Sequence, residues 1–370
     1  MYSATVLARR LASLFALLLL TGCASRRPAP KAPLFPLTAA WKTLLGDFVV
    51  SPLAADGRRL YVATRDGVVR ALDPATGAVT WKVEGFPGRL SAADGVLLVR
   101  ADDGTLWSLH PRTGAVRWKA DTAVAGTMPA VIDGDRALVA GRGLAAVDLS
   151  GGQALWADLS GAETTAPPVS AGSRLLAGEG DGTLRCRDRA TGLSLWVART
   201  GGALLAPPLV DEARRRLYLG TTDKRILELS LDRGQRGWAW RVGADIAHPG
   251  LLLLGQVLFA SHDAVLYSLR PGGNLSWRGS LPSRPLSPPL VVGGHVLVAC
   301  LENELVAFVP ETGTSAGRLR TTAQIRTPPI LAGGLVAVGL RDRSVIAYSL
   351  PGSTPAPTPE PPVAPPPPGR

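Results

Sequence analysis

Short apolar runs and tight polar turns alternate along this chain at a period near forty residues. Each unit opens on a Pro-led apolar run, such as Pro167-Pro168-Val169 or Pro328-Pro329-Ile330. A short run such as Leu60-Tyr61-Val62-Ala63-Thr64 follows, then a tight turn: Asp66-Gly67, Asp103-Gly104 or Asp181-Gly182. A second run ends in Leu-Asp, a turn ends in Thr-Gly, and a last run ends at Trp. Short apolar runs bounded by Gly, Pro and Asp predict strands. Asp-Gly between two such runs predicts a hairpin, with both central residues at positive φ. In Asp73–Gly77 the Asp accepts a local backbone bond and the Gly supplies the left-handed residue. A helical repeat of this length is excluded, because every unit carries several Gly and a hairpin turn.

The phrase Ala71 to Trp81, Ala-Leu-Asp-Pro-Ala-Thr-Gly-Ala-Val-Thr-Trp, returns in the same phase throughout. Its Trp is assigned to Trp41, Trp81, Trp118, Trp156, Trp196, Trp240 and Trp277, seven of the nine tryptophans. Four-stranded antiparallel units at this period predict the blades of a β-propeller. Pro-led starts fall at Pro52, Pro129, Pro168, Pro208, Pro249, Pro289 and Pro329, with a degenerate one near Ser91. Trp-type strands also number eight if Gly317 stands where the last Trp belongs. The two sets are out of phase, because Trp41 precedes the first start and nothing after Leu350 supplies a closing strand. The expected fold is therefore all-β: an eight-bladed propeller over residues 41–350, closed by the strand around Trp41 joining residues 327–350. Closure leaves no open edge. The indoles are assigned to the seams, since a blade cannot bury both faces alone. Their even spread around the ring argues against a stacking site for a sugar or base.

Composition changes this picture mainly at the ends. Arg9 and Arg10 precede the apolar run Leu11–Leu20, too short to span a bilayer and of signal-peptide type. Residues 1–22 read as that signal, residues 23–40 as anchor and tether, and residues 351–370, half of them Pro, as an extended tail. That tail is either a docking segment or a solvated end. Net charge is +11, yet Arg is scattered through the units. The cluster Arg214-Arg215-Arg216 reads as a solvated hairpin loop, so no nucleic-acid partner is expected.

Candidate chemistry is sparse. His110, His248, His262 and His295 show no metal-ligand spacing, and His110 takes the usual place of a turn Asp. No nucleophile elbow or phosphate loop occurs. Cys186 and Cys300 lie in different units, in apolar strand contexts, and read as inert thiols. No catalytic residue, metal or cofactor is expected.

Leu20-Thr21-Gly22-Cys23 resembles the bacterial lipobox, which implies lipid attachment at Cys23. Ala24 and Ser25, with no Asp, resemble the outer-membrane sorting pattern. The repeat phrase, matched almost throughout by residues 66–81, resembles the propeller repeat of pyrroloquinoline-quinone enzymes. Those enzymes place adjacent cysteines beside the cofactor, and this chain has no such pair. Lipobox, tether and eight blades together resemble the BamB family of β-barrel assembly lipoproteins. The resemblance implies a non-catalytic scaffold, monomeric as a ring, on the periplasmic face of the outer membrane. It would touch the membrane through its lipid alone and bind the barrel-assembly subunit through ring loops. One such loop commonly carries Leu-Arg before an Ala-Pro start. The corresponding segment is Gly201–Leu205, with Gly where Leu and Arg are expected. Leu204 and Leu205 are then either apolar partner contacts or the beginning of a strand. An envelope carbohydrate- or wall-binding propeller and a quinone-dependent dehydrogenase are the competing functions.

Overall fold

The computed structural model describes residues 33–159 and 163–352. These residues form eight sheets of four antiparallel strands, in sequential order from the axis outward in seven of them. Blade 1 comprises strands Ala54–Ala55, Leu60–Ala63, Val69–Leu72 and Val79–Val83. Blades 2 to 7 start at Arg89, Val131, Val169, Leu209, Leu251 and Leu290. In blade 8 the strands Ile330–Ala332, Leu335–Gly339 and Ser344–Ser349 are joined on the outside by Thr38–Leu44. Thr38 pairs with Ser349 and Leu44 with Ser344, so the first strand of the chain completes the last blade, as the phase argument requires.

Burial explains the apolar patterning strand by strand. The second and third strands are covered on both faces and read as nearly unbroken apolar runs, Leu60–Ala63 and Val336–Gly339 among them. Outer strands alternate, and Ser194–Arg199 turns only Trp196 and Ala198 inward. There is no single core. Eight apolar clusters occupy the eight seams, each drawing side chains from two neighbouring blades. Each blade therefore depends on its neighbours for burial.

The Asp-Gly turns differ from expectation in one respect. Gly67, Gly104 and Gly182 are left-handed, whereas Asp66, Asp103 and Asp181 are not among the positive-φ residues. The Asp side chain instead accepts a bond inside the turn, as in Thr105 N–H to Asp103 Oδ1 at 2.8 Å. Gly104 N–H also reaches the Ala101 carbonyl. This is a type I turn followed by a left-handed Gly, the next commonest hairpin solution.

The wedge geometry is regular. Trp81 donates its indole N–H to the Pro111 carbonyl at 2.9 Å, in the Asp-to-Gly turn of the next blade. A Cβ on Gly114 would stand 2.9 Å from the Trp81 ring. That Gly is thus required both for its left-handed φ of 74° and for the close approach of the indole. Trp41, Trp118, Trp156 and Trp277 make the same contact, with N–H bonds to Pro74, Leu149, Arg189 and Pro310. Trp196 lies over Gly234, but its N–H is buried without a partner. In blade 5 the wedge is Trp238, not Trp240: Trp238 packs on Gly273 and donates to Pro271 at 2.8 Å. The turn Gly plus four residues locates Trp81, Trp118, Trp156, Trp196 and Trp277, and Gly234 plus four is Trp238.

The tether expected over residues 23–40 is corrected at its C-terminal end. Leu34 and Leu37 are 2 % and 4 % exposed, within the blade 7–8 seam. Gly317 occupies the Trp position of blade 7, paired with Ala307 as Trp81 is with Ala71. Phe35 fills the space above it, since a Cβ on Gly317 would stand 2.7 Å from that ring. The segment before the first strand therefore supplies the eighth aromatic wedge. Cys23, the apolar run Leu11–Leu20 and the tail from residue 353 lie outside the described residues.

Arg100 is a departure from the repeat that the Pro and Trp phases do not anticipate. It takes a position where the other blades carry Ala63, Ala140, Gly178, Gly220, Ala260, Ala299 and Gly339. Its fully buried guanidinium donates to the carbonyls of Met128, Ala140 and Val124 at 2.8, 2.6 and 2.8 Å. Those bonds tie the second strand of blade 2 to blade 3, where the Pro-led start of blade 2 is absent. An Arg where every other unit has Ala or Gly was the available signal.

Candidate functional site

Two ends of the ring differ in construction. At one end the links between blades pack on the turns between second and third strands: Thr200 N–H donates to the Gly182 carbonyl and Thr122 N–H to that of Gly104. This is called the loop face. At the other end lie the hairpins joining first to second and third to outer strands, called the turn face.

The loop-face segment 201–208 enters blade 5 before the strand Leu209–Asp211. Thr200 Oγ1 donates to Gly182 and Gly202 carbonyls, and Thr165 Oγ1 to the Leu204 carbonyl at 2.6 Å. Thr222 N–H donates to the Ala203 carbonyl, which fastens the loop to the turn at 221–225. These bonds fix the two leucines in opposite directions. Leu204 is 1 % exposed and packs on Gly178, inside the blade 4–5 seam. Its expected role as a partner contact is therefore corrected: it is core. Leu205 is 40 % exposed. Neither begins a strand.

Charged pairs surround that loop. Arg199 meets Asp181 at 2.7 Å, Arg185 meets Glu179 at 2.8 Å, and Arg225 meets Asp223 at 3.3 Å. Leu159 adds a second exposed apolar side chain on the neighbouring inter-blade link. Leu205 is thus an apolar side chain fixed within a rim of paired charges.

The remaining candidates resolve as structural. His110 Nδ1 accepts the Arg112 N–H at 3.2 Å, the bond a turn Asp makes elsewhere. Cys186 and Cys300 are buried and unpaired, and burial pushes their thiols up to about 11 and about 12. Arg215 and Arg216 are held by Asp232 and Glu228, and Arg214 by Asp211. No cluster of three or more His, Cys, Asp or Glu side chains poised for a metal occurs among the described residues.

His248, in the link entering blade 6, sits 6.0 Å from the His262 ring, and its Nε2 contacts the Pro285 carbonyl. Burial holds its imidazole down, to about 4 from an ordinary 6.5, although the Pro285 contact acts the other way. The fold thus favours the neutral ring. Its stabilising contribution is complete above pH 6.5 and is lost as pH falls toward 4. Melting temperature is expected to fall across that window. In His248→Gln the fall is expected to be shallower; an identical slope would assign the acid sensitivity elsewhere.

Together these features define an eight-bladed propeller built of pyrroloquinoline-quinone-type repeats. The chain belongs to the family described as Outer membrane protein assembly factor BamB, which its residues 38–166 and 140–350 match. It is 28 % identical over 182 residues to the Outer membrane protein assembly factor BamB of Legionella pneumophila (strain Paris), covering 46 % of this chain and 47 % of that protein. The match thus spans about half of that relative's length. The crystal structure of BamB from Moraxella catarrhalis superposes with a TM-score of 0.72 at 19 % identity, over 85 % of this chain and all of that one. Quinohemoprotein alcohol dehydrogenase from Comamonas testosteroni gives 0.67 at 14 % identity, over 86 % of this chain and 77 % of that one. At such identity the likeness is one of fold alone.

Proposed function

We propose that this protein is a non-catalytic scaffold, lipid-anchored at Cys23 to the periplasmic face of the outer membrane, that helps assemble β-barrel proteins. It docks on the barrel-assembly subunit through the loop face, with Leu205 as the apolar contact. Family membership carries this reading. The exposure of Leu205 on a loop pinned by Thr165, Thr200 and Thr222 supports the contact. A pinned loop loses little conformational freedom on binding, so burial of its leucine converts efficiently into affinity.

Leu205→Glu is expected to weaken binding to the periplasmic domains of the subunit by more than about tenfold, since central apolar anchors are worth ~2 kcal/mol or more. Leu254 is equally prominent at 59 % exposure, but it lies on the turn face. Leu254→Glu is the matched control and should bind normally. Equal affinities for both variants, measured calorimetrically, would remove the loop face from the interface.

The anchor has its own test. The Cys23 thiol is the acceptor in the lipobox-like segment, so Cys23→Ser should accumulate as an unprocessed precursor without fatty-acid label. Normal processing and labelling of that variant would refute lipidation there.

A further inference from the structure

We propose that the turn-face groove between blades 1 and 2 is a binding site for a phosphate group. Arg58 and Arg59 come from the first hairpin of blade 1, Arg112 from the third hairpin-forming turn of blade 2, and Arg117 from its outer strand. They converge with His110 on a groove of about 410 Å³. A second groove of about 370 Å³ shares Arg58, Arg59 and Arg112 and adds Asp73 and Thr80.

The four guanidinium groups converge on one groove without being spent on carboxylates. Elsewhere arginines such as Arg185, Arg187, Arg189 and Arg215 are spent on carboxylates. None of the four lining arginines has an ion-pair partner within 4.0 Å among the described residues. Arg59 Nε is buried with no hydrogen-bond partner, while the guanidinium as a whole interacts with Asp56 and the Tyr61 hydroxyl. Two carboxylates, Asp56 and Asp94, also line the groove. Asp56 is already engaged: Oδ1 accepts the Arg58 and Arg59 backbone N–H groups, and Oδ2 accepts the Tyr61 hydroxyl at 2.7 Å. Asp73, in the adjoining groove, likewise accepts the Ala75 and Thr76 N–H groups of its own turn.

The walls are rigid. The Trp81 wedge, bonded to Pro111, locks the blade 1 and blade 2 hairpins together directly beneath the groove. Guanidinium forks held around one small concavity match the acceptor oxygens of a phosphate, which can take several charge-assisted bonds at once. A single carboxylate offers too few acceptors for them. The groove also lies on the end of the ring that receives the N-terminal segment, because Leu34 packs on Gly293 in the first hairpin of blade 7. Lipid headgroups, on the anchored reading above, and soluble phosphates are two sources of the same chemistry.

The test uses the full-length protein purified in neutral detergent, with inorganic pyrophosphate as the calorimetric probe. Saturable one-site binding is expected. Arg58→Gln and Arg112→Gln should each weaken it by roughly tenfold, the usual worth of a lost charge-assisted bond. Arg233→Gln, on the same face but outside the groove, should leave it unchanged, and all three should melt like the parent. Repeating the titration in micelles doped with phosphatidylglycerol separates the sources: loss of pyrophosphate binding assigns the site to a lipid headgroup, and unchanged binding to a soluble phosphate. Absent or unsaturable binding, or equal affinity in all variants, overturns the proposal. The detergent titration does not involve Cys23 lipidation or the barrel-assembly subunit, so its failure is distinguishable from failure of the scaffold reading.

Discussion

Trp238→Ala should destabilise the ring by about 3–5 kcal/mol, the range for truncating a packed aromatic, and Trp240→Ala should cost clearly less. The two indoles are separated by one residue and differ in what surrounds them. Trp238 lies on Gly273, bonds to the Pro271 carbonyl and stands 6.0 Å from the Tyr218 ring. Its removal opens a hole in the blade 5–6 seam that a rigid turn cannot collapse to fill. Trp240 occupies a place where other blades carry Thr43, Val83, Ala120, Asp158, Ala198, Gly279 and Leu319, so the architecture tolerates small residues there. Its indole N–H is buried without a partner. Substitution by Phe sharpens the contrast. Trp238→Phe loses a hydrogen bond, for about 1 kcal/mol. Trp240→Phe removes an unpaired donor and should be neutral or stabilising. Chemical denaturation of the four variants reads this directly, and a larger loss at residue 240 would invert the wedge assignment.

Deleting residues 33–46 should be more damaging than any single substitution. It removes the strand Thr38–Leu44 and leaves the edge Ser344–Ser349 unpaired. It also strips Leu34, Phe35 and Leu37 from the blade 7–8 seam and the Trp41 wedge from the blade 8–1 seam. An open apolar edge is a template for aggregation, so insoluble protein is the expected outcome. Phe35→Ala isolates one part of the same device and should cost about 3 kcal/mol, because its ring fills the space over Gly317. Removal of residues 355–370 should change neither solubility nor melting temperature. A soluble, normally melting N-terminal deletion would mean that the ring is not sealed by the first strand.

The sequence made the ring legible because its signals are local. A Thr-Gly turn, a Trp four residues later and a Pro-led start are each readable within one unit, and their phase offset forces circular closure. Errors arose where the deciding partner is distant or the count is indirect. Trp238 and Trp240 lie 42 and 44 residues after Trp196, so a period near forty does not by itself separate them. Counting from Gly234 avoids that error. Leu34, Phe35 and Leu37 look like stray apolar residues in a Pro-rich tether, since their counterpart Gly317 lies some 280 residues away. Leu204 and Leu205 are indistinguishable by type. Only Gly178, which leaves room for one of them, makes Leu204 core and Leu205 surface. The arginine groove was illegible for a related reason. Arg58, Arg59, Arg112 and Arg117 read as scattered turn charges until the blade 1–2 seam brings their hairpins together.

The scaffold assignment is tested most directly by isolating the intact lipoprotein from membranes of its own host in mild detergent, alongside the Leu205→Glu variant. The account predicts that the parent protein co-purifies in stoichiometric amount with the barrel-assembly subunit, and that the variant comes away without it. Recovery of the parent protein free of that subunit, or bound instead to peptidoglycan or polysaccharide, would contradict it.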